Sequence, residues 1–175
     1  MAQIDITVVF DTDGILADAN LQGGTQSSPK TVNYGYIYMI TDQANVVSGQ
    51  AGNELNISAN PTDQIRWQAT SATLASVHTV ALYAFQFYNP NDPANQLIST
   101  PELYPLQMTY YYGNHGNPLQ FTAQKVWVPV WLSTVLQYSQ PGQTVTYNFD
   151  FTILDTSGNT HGYYRWDPYI TVASS

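Results

Sequence analysis

The sequence predicts an all-β fold, a single-domain antiparallel β-sandwich of immunoglobulin-like or jelly-roll-like type with about nine or ten strands. Three observations carry this. Apolar and polar residues alternate with the period of two expected of half-buried strands. Clusters of Gly, Pro, Asn and Asp separate the alternating runs. No segment shows a convincing amphipathic helical period. An up-and-down barrel is the alternative closure. At 175 residues the chain supports one domain, 1–175, with a substantial core.

Gln3 to Phe10 reads as the first strand, with Ile4, Ile6, Val8 and Phe10 on one side. It ends at Asp11-Thr-Asp-Gly14, and the Gly-, Gln-, Ser- and Asn-rich sequence from 11 to 33 predicts a long loop. Tyr34 to Thr41 resumes as a strand. Glu54 to Ala59 and Gln64 to Thr70 alternate on either side of Asn60-Pro-Thr-Asp63, where Pro61 suits the second position of a type I turn. Leu55, Ile57 and Ala59 can then share a face with Ile65, Trp67 and Ala69. His78 to Tyr88 is apolar on both faces and is placed centrally. Leu103 to Tyr112 contains Pro105 and Lys125 to Val135 contains Pro129, which predict edges, bulges or kinks. Between them Tyr110 to Pro118 predicts a second long loop, near 112–118.

The terminal hairpin is specific enough to register residue by residue. In Thr144 to Ile153 the odd positions are apolar; in the return strand Tyr164, Trp166, Pro168, Ile170 and Val172 read as inward. A two- or four-residue loop around Ser157-Gly158 sets Phe151 opposite Tyr164, Phe149 opposite Trp166 and Val145 opposite Ile170. A one-residue slip would turn the core residues to solvent. On the other face Arg165 falls opposite Asp150 and Asp167 opposite Asn148. The residues Asp150, Arg165 and Asp167 then form a polar cluster flanked by Tyr163 and Tyr169.

Composition limits the partners. Four Lys plus Arg stand against twelve Asp plus Glu, a net charge of −8, so a nucleic-acid backbone would be repelled. Hydrophobic residues at 43% and aromatic residues at 14% supply the apolar surface that folding requires. Fourteen Tyr and many amides and hydroxyls predict a surface that is polar without being charged. Such a surface suits stacking on copies of itself, giving a homo-oligomer or larger self-assembly, or binding of neutral glycans. Absence of Cys excludes disulfides and thiolate chemistry and points to the cytoplasm, the alternative being release from the cell without disulfides or a visible signal peptide. The first residues lack the basic and apolar regions of a signal peptide, and no apolar run suits membrane insertion.

Candidate sites each have a plain structural reading beside the functional one. Tyr110, Tyr111, Tyr112, Asn114 and His115 combine rings that stack on sugar faces with groups that bind hydroxyls; the plain reading packs the rings on the end of the sandwich. Asp11 and Asp13 suggest calcium, because that ion takes clustered carboxylate oxygens, although the spacing is not that of an EF-hand: Gly14 arrives too early and Gln22 stands where a bidentate Glu belongs. Asp and Gly closing a strand is the default there, and no cofactor is otherwise expected. Asp150, Arg165 and Asp167 could hold a polar ligand, the default being a cross-strand ion pair worth about 0.2–1 kcal/mol. Trp67, Trp127 and Trp166 lie in strands and are expected in the core. No hydrolase, zinc or nucleotide motif occurs, and His78, His115 and His161 are scattered. No enzyme is expected.

The order of several motifs resembles one family. Ile6-Thr-Val-Val-Phe-Asp-Thr12, Val47-Ser-Gly-Gln50, Ala59-Asn-Pro61 with Asp63, Trp67 to Ser71, and Tyr164-Arg-Trp-Asp-Pro-Tyr-Ile-Thr-Val172 are similar to the AidA/PixA inclusion-body proteins of bacteria. Little of the likeness falls between about residues 89 and 124, and the Trp-Asp-Pro ending is its most specific part. The resemblance implies cytoplasmic inclusions, regulated expression and interaction with hosts. It implies no enzymatic activity and supplies no catalytic residues.

Overall fold

In the computed structural model, residues 1–140, 143–170 and the backbone of 172–173 are described. The strands are β1 (Gln3–Phe10), β2 (Lys30–Thr31), β3 (Ile37–Ile40), β4 (Val46–Ser48), β5 (Asn56–Ser58), β6 (Gln64–Ser71) and β7 (His78–Phe87). After these come β8 (Glu102–Asn114), β9 (Asn117–Thr134), β10 (Val145–Asp155), β11 (Thr160–Trp166), β12 (Tyr169–Ile170) and β13 (Val172–Ala173). The one α-helix among the described residues is α1 (Thr12–Ala17).

The all-β sandwich is present, built from mixed sheets. One sheet runs β3-β1-β6-β9-β8; its β1–β6 pair is parallel and the others are antiparallel. In the second, β10 lies between β7 and β11, β12 continues along the β11 side, and β2 joins β11 in parallel. A small β13-β5-β4 sheet completes it. The inner faces meet through rings: Phe10 lies 4.5 Å from Phe151, and Trp67 lies 5.9 Å from both Phe149 and Tyr147. Ile4, Ile6, Val8 and Phe10 are all buried, as their alternation requires.

The hairpin register holds: Phe151 pairs with Tyr164, Phe149 with Trp166, Asp150 with Arg165 and Val145 with Ile170. Its turn differs from the expected even-numbered loop. The Asp155 N–H donates to the Asn159 carbonyl, which closes a three-residue loop with Gly158 at φ +83°, and a bulge between Ile153 and Leu154 restores the register. One extra residue in the strand replaces one residue of loop. Tyr164, Trp166, Pro168 and Ile170 are buried; the side chain of Val172 lies outside the described residues.

Four expectations are corrected. The long 11–33 loop contains α1, a 3-10 turn at Ala19–Leu21 and β2, because Asp11 caps the helix by accepting from the Gly14 N–H at 2.9 Å. The Pro61 turn is type II: the Asp63 N–H donates to the Asn60 carbonyl and Thr62 sits at φ +79°. Among the described residues β7 pairs with β10 alone and so ends its sheet. Its apolar residues on both parities result from a bulge: Val80 and Leu82 face Ile153 and Phe151, whereas beyond the slip Phe85 and Phe87 face Phe149 and Tyr147. The predicted loop near 112–118 shrinks to the turn His115–Gly116 between β8 and β9.

Candidate functional site

β8 and β9 form a ribbon that leaves the body. β9 pairs with β6 from Thr134 only as far as Trp131, opposite Trp67, and toward the hairpin tip, among the described residues, it pairs with β8 alone. Pro105 and Pro129 face each other two residues past that point. Each lacks an N–H, so both sit where the ladder is already single-sided. Trp127, expected in the core, is 67% exposed because the strand that carries it has left the sheet.

The ribbon alternates, but both of its faces carry large exposed apolar side chains. Tyr110 and Tyr112 belong to one face and Tyr111 to the other. Asn114 Oδ1 accepts from Thr122 Oγ1 at 2.7 Å, and His115 occupies the tip beside Gly116 at φ +95°. The five residues expected to line one ligand loop are therefore divided over two faces and a turn. Leu103, Pro105, Trp127 and Pro129 instead line an open apolar depression of about 410 Å³. Between Leu103 and Thr134 the only formal charge is Lys125.

Asp11 and Asp13 diverge. Asp11 caps α1, and Asp13 Oδ1 lies 3.1 Å from His78 Nδ1. His161, the residue added by the hairpin bulge, stands edge-on to His78 with ring centroids 5.3 Å apart, and its Nε2 lies 3.4 Å from Asp155 Oδ2. This polar chain joins α1, β7 and the terminal turn, and sequence spacing gave no sign of it. Among the described residues neither of these two imidazoles bonds a hydroxyl. No three His, Asp or Glu side chains among the described residues are gathered as metal ligands.

Asp150 and Arg165 form a two-pronged pair, Nε to Oδ1 at 2.6 Å and Nη2 to Oδ2 at 2.8 Å. The hydrogen bonds that Arg165 donates to Asp150 raise its pKa further. The face is far from open: Asn148, Asp150 and Thr152 are buried even though they occupy the polar parity of β10. Tyr83 of β7 and Tyr163 of β11 meet edge-to-face at 5.8 Å, and since those strands flank β10 their rings bridge over it. Burial raises the Tyr83 pKa. Asp167 lies beyond the end of β11, exposed, so the three-residue cluster reduces to a pair.

Comparisons with known proteins agree with this architecture. A crystal structure of an inclusion body protein, PixA, from Burkholderia cenocepacia superposes with a TM-score of 0.75 at 17% identity, covering 98% of this chain and 96% of the other. No curated protein matches. The family model described as PixA, inclusion body protein, matches residues 2–172, and over that span the chain belongs to the PixA family of inclusion body proteins.

Proposed function

We propose that this is a non-enzymatic protein that self-associates into inclusion-type assemblies through the β8–β9 ribbon. The carrying observation is the exposed apolar face of Leu103, Pro105, Trp127 and Pro129, which no part of the described fold covers. A two-stranded ribbon is marginally stable alone in water, so a second surface against it would order it. Its strands run 13 and 18 residues, which makes the uncovered face a long one. Charge favours a second copy as the occupant. Two chains of net charge −8 repel each other, and contact through the β8–β9 ribbon, whose charged residues are Glu102 at its base and Lys125, adds least to that repulsion.

The setting we propose is the bacterial cytoplasm, with a role in interaction with hosts or other organisms, in keeping with family membership. No helix among the described residues is long and apolar enough to cross a membrane. Light scattering over a concentration series tests self-association: mass should rise with concentration, and a monomer throughout would overturn the proposal. Imaging a tagged chain at native expression tests the cellular setting, where diffuse signal at all growth stages would count against inclusions.

A further inference from the structure

Beyond self-association, the geometry points to a binding site for a neutral oligosaccharide in the cleft between the ribbon and the outer face of β1 and β6. Where β9 parts from β6, the gap holds a cavity of about 380 Å³, within the range of roughly 300–1,000 Å³ typical of small-ligand sites. A neighbouring cavity of about 330 Å³ shares Arg66 and Leu106 with it, so the cleft is elongated along the sheet.

The floor is made of paired polar residues from two parallel strands: Gln3 beside Gln64, Asp5 beside Arg66, and Thr7 beside Gln68. The wall contributes Tyr104, Leu106 and Met108 from β8. Arg66 donates through Nε and Nη2 to the two carboxylate oxygens of Asp5, which leaves three of its five N–H donors uncommitted among the described residues. The carboxamides of Gln3, Gln64 and Gln68 make no hydrogen bond among the described residues, so each presents both a donor and acceptors to the cleft.

These groups select the ligand class. The guanidinium is neutralised by Asp5 and the whole chain is acidic, which disfavours anions; the carboxylate is neutralised in turn, which disfavours cations. Sugar hydroxyls both donate and accept, matching carboxamides, while a ring such as Tyr104 and the aliphatic wall suit the C–H face of a pyranose. The site differs from the tip residues Tyr110 to His115, and it lies on the ribbon face opposite Trp127.

The test is an array of uncharged oligosaccharides, with sialylated or sulfated glycans and extended peptides as further arms. It uses the full chain, the double variant Gln64→Ala/Gln68→Ala, and Tyr111→Ala as a control on the opposite ribbon face. Wild type and Tyr111→Ala should retain the same neutral glycans, and the double variant should lose at least about tenfold in affinity with an unchanged melting midpoint. Binding is read at a concentration where scattering gives one mass for all three proteins, so it is scored independently of assembly. Absence of neutral-glycan binding, binding confined to the charged glycans or peptides, or full binding by the double variant would overturn the proposal.

Discussion

The body and the ribbon are made of the same residues put to opposite uses. In β10 and β11 each aromatic side chain has a partner: Phe149 meets Trp67, Trp131 and Trp166, and Phe151 stacks on Tyr164 at 5.4 Å. In β8 and β9 the same kinds of side chain stand in solvent, with Tyr111 71% and Phe121 63% exposed. Both regions are antiparallel hairpins in good register, so secondary structure is not the difference. A hairpin buries its rings only when a second layer covers it, and the ribbon runs past the edge of its layer after Trp131. Aromatic content in a strand therefore reports a need for a partner, which in this chain is internal for one hairpin and, as we propose, external for the other.

The largest expected effect lies in the body. Phe149→Ala should lower stability by about 3–5 kcal/mol, since it removes a fully buried ring and leaves a cavity among other rings. Denaturant unfolding checks this, and a loss below about 1 kcal/mol would mean that the two layers are not locked at this position. Asp150→Ala comes next. It leaves the Arg165 guanidinium without its carboxylate partner, at an expected cost of about 1–3 kcal/mol; the lower half of that range applies because the arginine is 30% exposed.

The sequence revealed most where one face is buried and the other wet. In the terminal hairpin a slip of one residue would reverse every side chain, so alternation alone specifies the pairing. The same rule failed on β7 for an identifiable reason. The bulge beside Tyr83 moves the inward set from Val80 and Leu82 to Phe85 and Phe87, and a strand of one buried face then looks buried on both. The ribbon was illegible because Tyr110, Tyr111 and Tyr112 are consecutive and both faces carry large apolar side chains, so no parity marks an inside. Gly113, Asn114 and Gly116 then read as loop, although only the tip turns. The sugar cleft draws on residues that looked like an ordinary solvent face, and only the departure of β9 from β6 closes a wall over them.

Acid should separate the two regions more gently. Asp63 is held below its ordinary value chiefly by the Ala2 N–H and then by that of Asn60, and Asp155 is held down to about 2 chiefly by the Asn159 amide. Both belong to the body, whereas the ribbon between Leu103 and Thr134 contains no carboxylate. A depressed carboxylate contributes stability that is complete above its unfolded value near 3.8 and is lost as pH falls through the folded value. Melting midpoints should therefore stay level from neutrality to about pH 4.5 and decline from there toward pH 2. Asp63→Asn combined with Asp155→Asn should be less stable at pH 6 and show a shallower acid decline. A decline beginning above pH 5 would instead place the acid sensitivity outside these two groups.

The smallest stability effect is expected at Trp127, and it is the sharpest test of the contrast. In the core, tryptophan to serine would be ruinous; here the ring touches little of its own chain, so Trp127→Ser should change unfolding by no more than about 0.5 kcal/mol. Assembly should respond in the opposite way, with the rise of scattered mass displaced to at least about tenfold higher concentration, because exposed aromatic anchors dominate interfaces. If the variant assembles as wild type does while the wild type still assembles, self-association survives and the ribbon is not its contact. If Trp127→Ser instead destabilises the fold as much as Phe149→Ala, the ring is covered within one chain, and the distinction between an internally and an externally partnered hairpin fails.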